Sequence, residues 1–172
     1  MRAIVQRVLS ASVEVEGRVV SEIGPGLLVL VGIRDSDADS DADYICRKVL
    51  NMRLFPNEKT GKAWDQSVMQ RQFGVLLVSQ FTLYGILKGN KPDFHVAMPP
   101  QEAKPFYACL VEKFRKAYTA DLVKGLIWML EAKMYLRLSL ILLESKHLAE
   151  VHALNLFHGL HLSLLLRMYL SD

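Results

Sequence analysis

The sequence predicts an α+β domain, a β-sheet core with packed helices, on three observations. Four runs of strand character fill residues 2–33. The last of them, from Leu27 to Ile33, is apolar with no polar face. Two later segments repeat apolar residues at helical spacing. At 172 residues the chain has room for one domain with a real core and too little for two ordinary ones.

The runs "RAIVQRV" and "SASVEVEGRVVSEIGPGLLVLVGI" alternate or run apolar and are rich in β-branched residues. Turn signals at Glu16-Gly17 and Gly24-Pro25-Gly26 divide them into strands at 2–8, 11–16, 18–23 and 26–33. Leu27 to Ile33 is expected to be the central strand, covered on both sides. The acidic run "RDSDADSDAD" lacks the glycine and the terminal glutamate of a calcium loop. It reads instead as a helix entry, with Asp39 or Ser40 as the cap and Asp41 and Asp43 on the positive end of the dipole. The helix is expected over 41–53, with Ile45, Val49 and Met52 as its stripe and Cys46 and Leu50 beside it.

"FPNEKTGKAWD" is a loop or hairpin with Gly61 at its turn, and "GVLLVSQF" is another buried strand. A second helix is expected over 101–118, where Ala103, Phe106, Tyr107, Leu110, Phe114 and Ala117 recur at helical spacing. Pro99 and Pro100 suit its start.

The last third changes character. From Leu126 onward there is no proline, and sixteen of 47 residues are leucine. One or two helices, 127–150 and 152–170, are expected, with broad and poorly amphipathic faces that seek a partner surface. His147, His152, His158 and His161 lie there. His158 and His161 are three apart, but no carboxylate or thiolate pattern accompanies them, so they read as ordinary histidines and not metal ligands.

Formal net charge is +3, which admits a polyanionic partner without requiring one. Cys46 and Cys109 fall in helical patterns without a CxxC, as reduced, half-buried thiols of a cytoplasmic protein do. "MRAIVQRV" turns charged again too soon for a signal peptide. No run reaches the roughly 18 apolar residues of a membrane span.

One stretch carries candidate chemistry. "SQFTLYGILKGNKPDFH", residues 79–95, starts as the end of a buried strand and releases Ser79, Gln80 and Thr82 where the chain turns. A sheet fixes such groups while the loop leaves them open. Backbone amides at the break suit an oxyanion. Lys88 and Lys91 of "KGNK", with His95 near by, suit a phosphate, and Phe81, Tyr84 and Phe94 are candidates to stack on a base. The competing reading is a capped strand end beside a solvated basic turn. No Ser-His-Asp or Cys-His set can be assigned, and no glycine-rich phosphate loop opens a helix.

"MRAIVQRVLSASVEVEGRVVSEIGPGLLVLVGI", "SQFTLYG" and "KGNKPDFHVAMPP" together resemble the D-aminoacyl-tRNA deacylase family, in the wording of a plant member. The resemblance runs from Met1 to about Lys124. It implies an α+β fold with a mixed or antiparallel sheet, built as a cytoplasmic homodimer. It implies hydrolysis of the ester between a D-amino acid, or mischarged glycine, and the terminal adenosine of tRNA, with no metal or other cofactor. Ser79, Gln80, Phe81 and Thr82 would be the catalytic element, with Thr82 lining the site. Lys88, Gly89, Asn90, Lys91, Pro92 and Phe94 would bind the tRNA 3′ end. Chemistry would lean on backbone groups and the substrate's own ribose hydroxyl.

The family's second element, Asn-x-Gly-Pro-x-Thr, carries a cis Gly-Pro peptide that enters the partner's site and excludes L-amino acids; Arg7 would help position it. That motif is absent from this sequence, and Pro105 is the last proline. Gly24-Pro25 is an ordinary turn between strands. The chain therefore divides into a deacylase-like domain at 1–124, without its last strands, and an atypical tail at 125–172, most simply an alternative or misjoined C-terminus. The alternative function is an impaired variant that keeps only tRNA-end or dimer binding.

Overall fold

The computed structural model describes residues 1–15, 18–126, 136–137, 149–152 and 165–168. Its centre is a four-stranded sheet in the order β1 (Arg2–Val8), β4 (Gly26–Gly32), β7 (Gly74–Ser79), β10 (Val123–Leu126). β1 runs antiparallel to β4, while β7 is parallel to both β4 and β10. The sheet is mixed, and its parallel pairs require crossovers. Those crossovers contain helices α1 (Asp39–Asn51) and α3 (Pro100–Ala117).

The apolar run of β4 divides as strand geometry demands. Leu27, Val29 and Val31 face the helices, together with Val75 and Leu77 of β7. Leu28 and Leu30 face the other way, with Leu76 and Val78. There they meet Val13 of β2 (Ala11–Val15) and Ile23 of β3 (Arg18–Ile23), an antiparallel pair lying on that face. Every residue of β4 is buried, so the strand is central and covered on both sides, as the missing polar face foretold.

The helices match in place and differ in detail. The cap of α1 is Ala38, not Asp39 or Ser40; the Asp41 carboxylate accepts from the Ala38 N–H at 2.9 Å. Asp39 and Asp43 instead pair with Lys113 of α3, at 2.9 and 2.6 Å, tying the two helices together. The buried face of α1 is Ala42, Cys46, Val49 and Leu50, so the stripe centres on Cys46, with Ile45 and Met52 at its margin. In α3 the expected Ala103, Tyr107, Leu110 and Phe114 are buried and joined by Val111, whereas Ala117 is exposed. Both cysteines are free, Cys46 buried and Cys109 exposed, rather than both half-buried.

"FPNEKTGKAWD" joins β5 (Arg53–Phe55) to β6 (Gln66–Ser67) as an antiparallel hairpin, with Gly61 at its turn (φ 73°). A short helix α2 (Val68–Arg71) follows. Its capping box, Ser67 with Gln70, is a sequence signal of the S-x-x-Q type. The helices expected at 127–150 and 152–170 lie largely outside the described residues. The described pieces there are strands: β11 (Leu136–Arg137), which pairs with β2, and β12 (Ala149–His152) with β13 (Leu165–Met168).

Candidate functional site

The site forms where β4 and β7 end side by side. Val31 and Ser79 are register partners, and Gln80 donates its N–H back to the Val31 carbonyl at 2.7 Å. The chain then closes a 3₁₀ turn, Phe81–Tyr84. Leu83 N–H bonds to the Gln80 carbonyl at 3.2 Å, and Gly85 N–H to the Thr82 carbonyl at 2.9 Å. The N–H groups of Phe81 and Thr82 open the turn, so neither has an acceptor within it.

Gly32 makes room for this turn. A Cβ there would stand 2.8 Å from the Leu83 Cβ and 3.2 Å from the Gln80 oxygen. Leu83 packs down against the β2–β3 core, and Tyr84 is buried. Phe81 and Thr82 point outward instead; Phe81 is 50% exposed. Gln80 Nε2 donates to Thr82 Oγ1. With that acceptor engaged, the Thr82 hydroxyl hydrogen is left to point at a substrate.

The segment expected as a basic loop is a β-hairpin. β8 (Ile86–Lys88) pairs with β9 (Lys91–Asp93), and Gly89 and Asn90 form the two-residue turn. Gly89 has φ 61°, the left-handed region such turns demand. The hairpin returns Phe94 to the site. Phe81 and Phe94 meet edge to face, with centroids 5.2 Å apart and planes at 75°. Phe94 also lies over Gly85, where a Cβ would come within 2.8 Å of its Cε1.

The charges are arranged differently from the expectation. Lys88 pairs with Asp93 and is not left over for a phosphate. Asp93 also accepts from the His95 backbone N–H at 2.9 Å and faces His95 Nδ1 at 2.8 Å. The Lys88 bond first, then the His95 bonds, hold the Asp93 carboxyl well below the usual carboxylate range. Lys91, Asn90 and Gly89 are exposed at the tip, with Pro92 half-buried behind them.

Arg7 lies elsewhere. It pairs with Leu27, four register positions from the Ala3–Val31 pair beside Ser79. That is about 13 Å along the strands. Its guanidinium donates to the Leu54 carbonyl at 2.9 Å and lies 5.9 Å from the Trp64 ring. The arginine of β1 that reaches the turn is Arg2, which sequence reasoning passed over. Its Nη1 donates to the Leu83 carbonyl at 2.7 Å, and its guanidinium sits 4.6 Å from the Tyr84 ring centroid. Nothing in the spacing of Arg2 and Leu83, 81 residues apart, signals that contact.

Among the described residues, no group of three or more His, Cys, Asp and Glu could hold a metal ion. No described helix is long and apolar enough to cross a membrane.

A buried strand delivering hydroxyl, amide and aromatic groups to an open turn, on a mixed sheet backed by two helices, defines a small α+β protein with a polar-aromatic site at the sheet's end. Residues 4–138 match the family model described as D-Tyr-tRNA(Tyr) deacylase, and the chain belongs to that family. It is 52% identical over 124 residues to D-aminoacyl-tRNA deacylase 1 of Bos taurus, covering 72% of this chain and 59% of the bovine protein. It is 51% identical over the same length to D-aminoacyl-tRNA deacylase of Dictyostelium discoideum, covering 82% of that protein. The match thus spans under two thirds of the bovine relative and most of the Dictyostelium one. Among solved structures, the c-Myc DNA Unwinding Element Binding Protein is similar at a TM-score of 0.73 and 44% identity, over 86% of this chain and 100% of that one. A probable eukaryotic D-amino acid tRNA deacylase shares the fold at a TM-score of 0.64 and 15% identity.

Proposed function

We propose that this chain is a D-aminoacyl-tRNA deacylase, hydrolysing the ester that joins a D-amino acid or glycine to the terminal adenosine of tRNA. The observation that carries the reading is the Ser79–Thr82 turn at the end of β7, with Phe94 folded back onto Phe81.

Water adds to the ester carbonyl carbon, and the oxyanion takes hydrogen bonds from the free N–H groups of Phe81 and Thr82. The bond from that carbon to the ribose oxygen then breaks. The ribose oxygen gains a proton, and free amino acid and tRNA leave. The Thr82 hydroxyl orients the aminoacyl group, and the Phe81–Phe94 pair gives the terminal adenine a surface to stack on. Gly89, Asn90 and Lys91 at the hairpin tip face the tRNA backbone, with Lys88 shaping the hairpin through Asp93. Arg7 serves a second copy of the chain rather than the turn of its own, in a cytoplasmic homodimer. Residues 1–124 are the catalytic unit, and 125–172 a separate tail.

The test is release of amino acid from D-Tyr-tRNA and L-Tyr-tRNA. Turnover of the D-ester supports the proposal; no turnover of either overturns it for this chain. A second reading rests on the missing Asn-x-Gly-Pro-x-Thr motif. It holds that the chain binds the tRNA end or dimerises without catalysis. A soluble dimer that retains tRNA on gel filtration but releases no amino acid would favour it.

A further inference from the structure

We infer that Arg2 is a positioning residue of this site, holding the C-terminal end of the turn that presents Phe81 and Thr82. The inference rests on the proposed deacylase reading for its catalytic consequence, and on geometry alone for the clamp itself.

A four-residue 3₁₀ turn satisfies few of its own groups. Its entry is anchored by Gln80 N–H on the Val31 carbonyl, and its middle by Leu83 and Gly85 N–H bonding inward. The exit carbonyls have no further turn to pair with. One of them, Leu83 O, is taken by Arg2 Nη1 at 2.7 Å. Arg2 pairs with Gly32 in the sheet, the residue whose missing side chain lets the turn lie down. The guanidinium therefore crosses bare backbone to reach the turn, and its face lies 4.6 Å from the Tyr84 ring centroid. Hydrogen bond and stacking act on adjacent residues and fix one orientation, because the guanidinium is planar and its donors are set in a fork. The turn is thus bonded to β4 at one end and to β1 at the other. Thr82 and the free N–H of Phe81 lie between those anchors. A loose exit would let both drift, and displacement of about 1 Å costs a reaction steeply.

Arg2 touches no reacting atom in this arrangement; it acts through Leu83 and Tyr84. It is also a cation beside a site for a polyanion, so the experiment has to separate positioning from attraction. Arg2→Ala and Arg2→Lys are compared with the wild-type chain by steady-state deacylation of D-Tyr-tRNA at two salt concentrations. Amide hydrogen exchange at Leu83 and Gly85 is followed in parallel.

Positioning predicts that Arg2→Ala lowers kcat about tenfold with KM within about twofold, at both salts. Exchange at Gly85 accelerates, and Arg2→Lys, which keeps a donor for Leu83, restores part of each. A rise in KM that grows with salt, at unchanged kcat, would overturn the inference in favour of a phosphate contact. Unchanged Gly85 exchange in Arg2→Ala would overturn it whatever the rates do. If the wild-type chain turns over neither ester, the deacylase reading falls, and the exchange comparison still decides the clamp. Should Arg2→Ala fail to fold, Arg2→Gln, which keeps a neutral donor and length, carries the same comparison.

Discussion

Gly32→Ala tests whether the bare end of β4 is what seats the catalytic turn. The new Cβ would stand 2.8 Å from the Leu83 Cβ, 3.2 Å from the Gln80 oxygen and 3.3 Å from Tyr84 Cδ2. Carbon atoms settle at about 3.5–4.0 Å, so Leu83 must retreat by about 0.7–1.2 Å. A Cβ is fixed to its backbone, so no rotamer change relieves the contact and the turn itself has to move. Overpacking of this kind costs about 1–3 kcal/mol. A shift of about 1 Å in positioned groups is worth about a hundredfold in rate. The expected result is a melting temperature lower by about 2–8 °C, and kcat/KM on D-Tyr-tRNA down by about a hundredfold. Gly24→Ala is the control, because nothing lies within 4 Å of a Cβ built there. Wild-type turnover in Gly32→Ala, with the melting point lowered as expected, would show that the turn's position does not govern the reaction. An unchanged melting point would refute the steric argument.

Three further outcomes follow from the same geometry. Thr82→Ala is expected to lower kcat/KM about tenfold or more while leaving the melting temperature within about 2 °C, since the side chain is exposed; an unchanged rate counts against Thr82 as a site residue. Only Cys109 should react with a thiol reagent in the native protein at neutral pH. Burial first, with Asp43 adding to it and Lys113 opposing, pushes the Cys46 thiol up to about 11. The stability that comes from keeping Cys46 neutral is full below its ordinary value of about 8.5 and is lost as pH rises towards the folded value. Rapid labelling of two thiols would refute its burial. Asp93 runs the other way. Its folded value is depressed, so its contribution is present above its ordinary value of about 3.9 and is lost as pH falls below it. Amide protection of the β8–β9 hairpin should therefore be steady from about pH 8 to 5 and weaken below about pH 4, and Asp93→Asn should flatten that dependence; an Asp93→Asn profile identical to wild type would sink the idea.

Much of this molecule was legible in the residue order, because local periodicity is a local property. The four early strands fall within a residue or so of their observed limits, and the two long helices within two or three. Leu27 to Ile33 could only be a doubly covered strand, since it offers no polar side to water. "SQFT" marked the end of β7 because polar groups following a buried run have to emerge. The acidic run was read correctly as a helix entry, but not its cap. Asp39 and Asp43 are drawn to Lys113, some 70 residues away in the chain, and no local rule weighs that pairing.

What the tertiary structure decided is which of the candidates meet. Sequence spacing set Lys88 free and made Arg7 the arginine of interest. The hairpin closes Lys88 onto Asp93, and the antiparallel register of β1 puts Arg7 at one end of the sheet and Arg2 at the other. Phe94 is brought back to Phe81 by a turn at Gly89 that needs a positive φ. Gly32, an unremarked residue in an apolar run, clears the surface on which the turn rests. The sequence by itself determined the strands, the helices and the polar strand end, because each follows from neighbours along the chain. Only the folded sheet could decide the contacts, because register and crossover join residues that the chain keeps far apart.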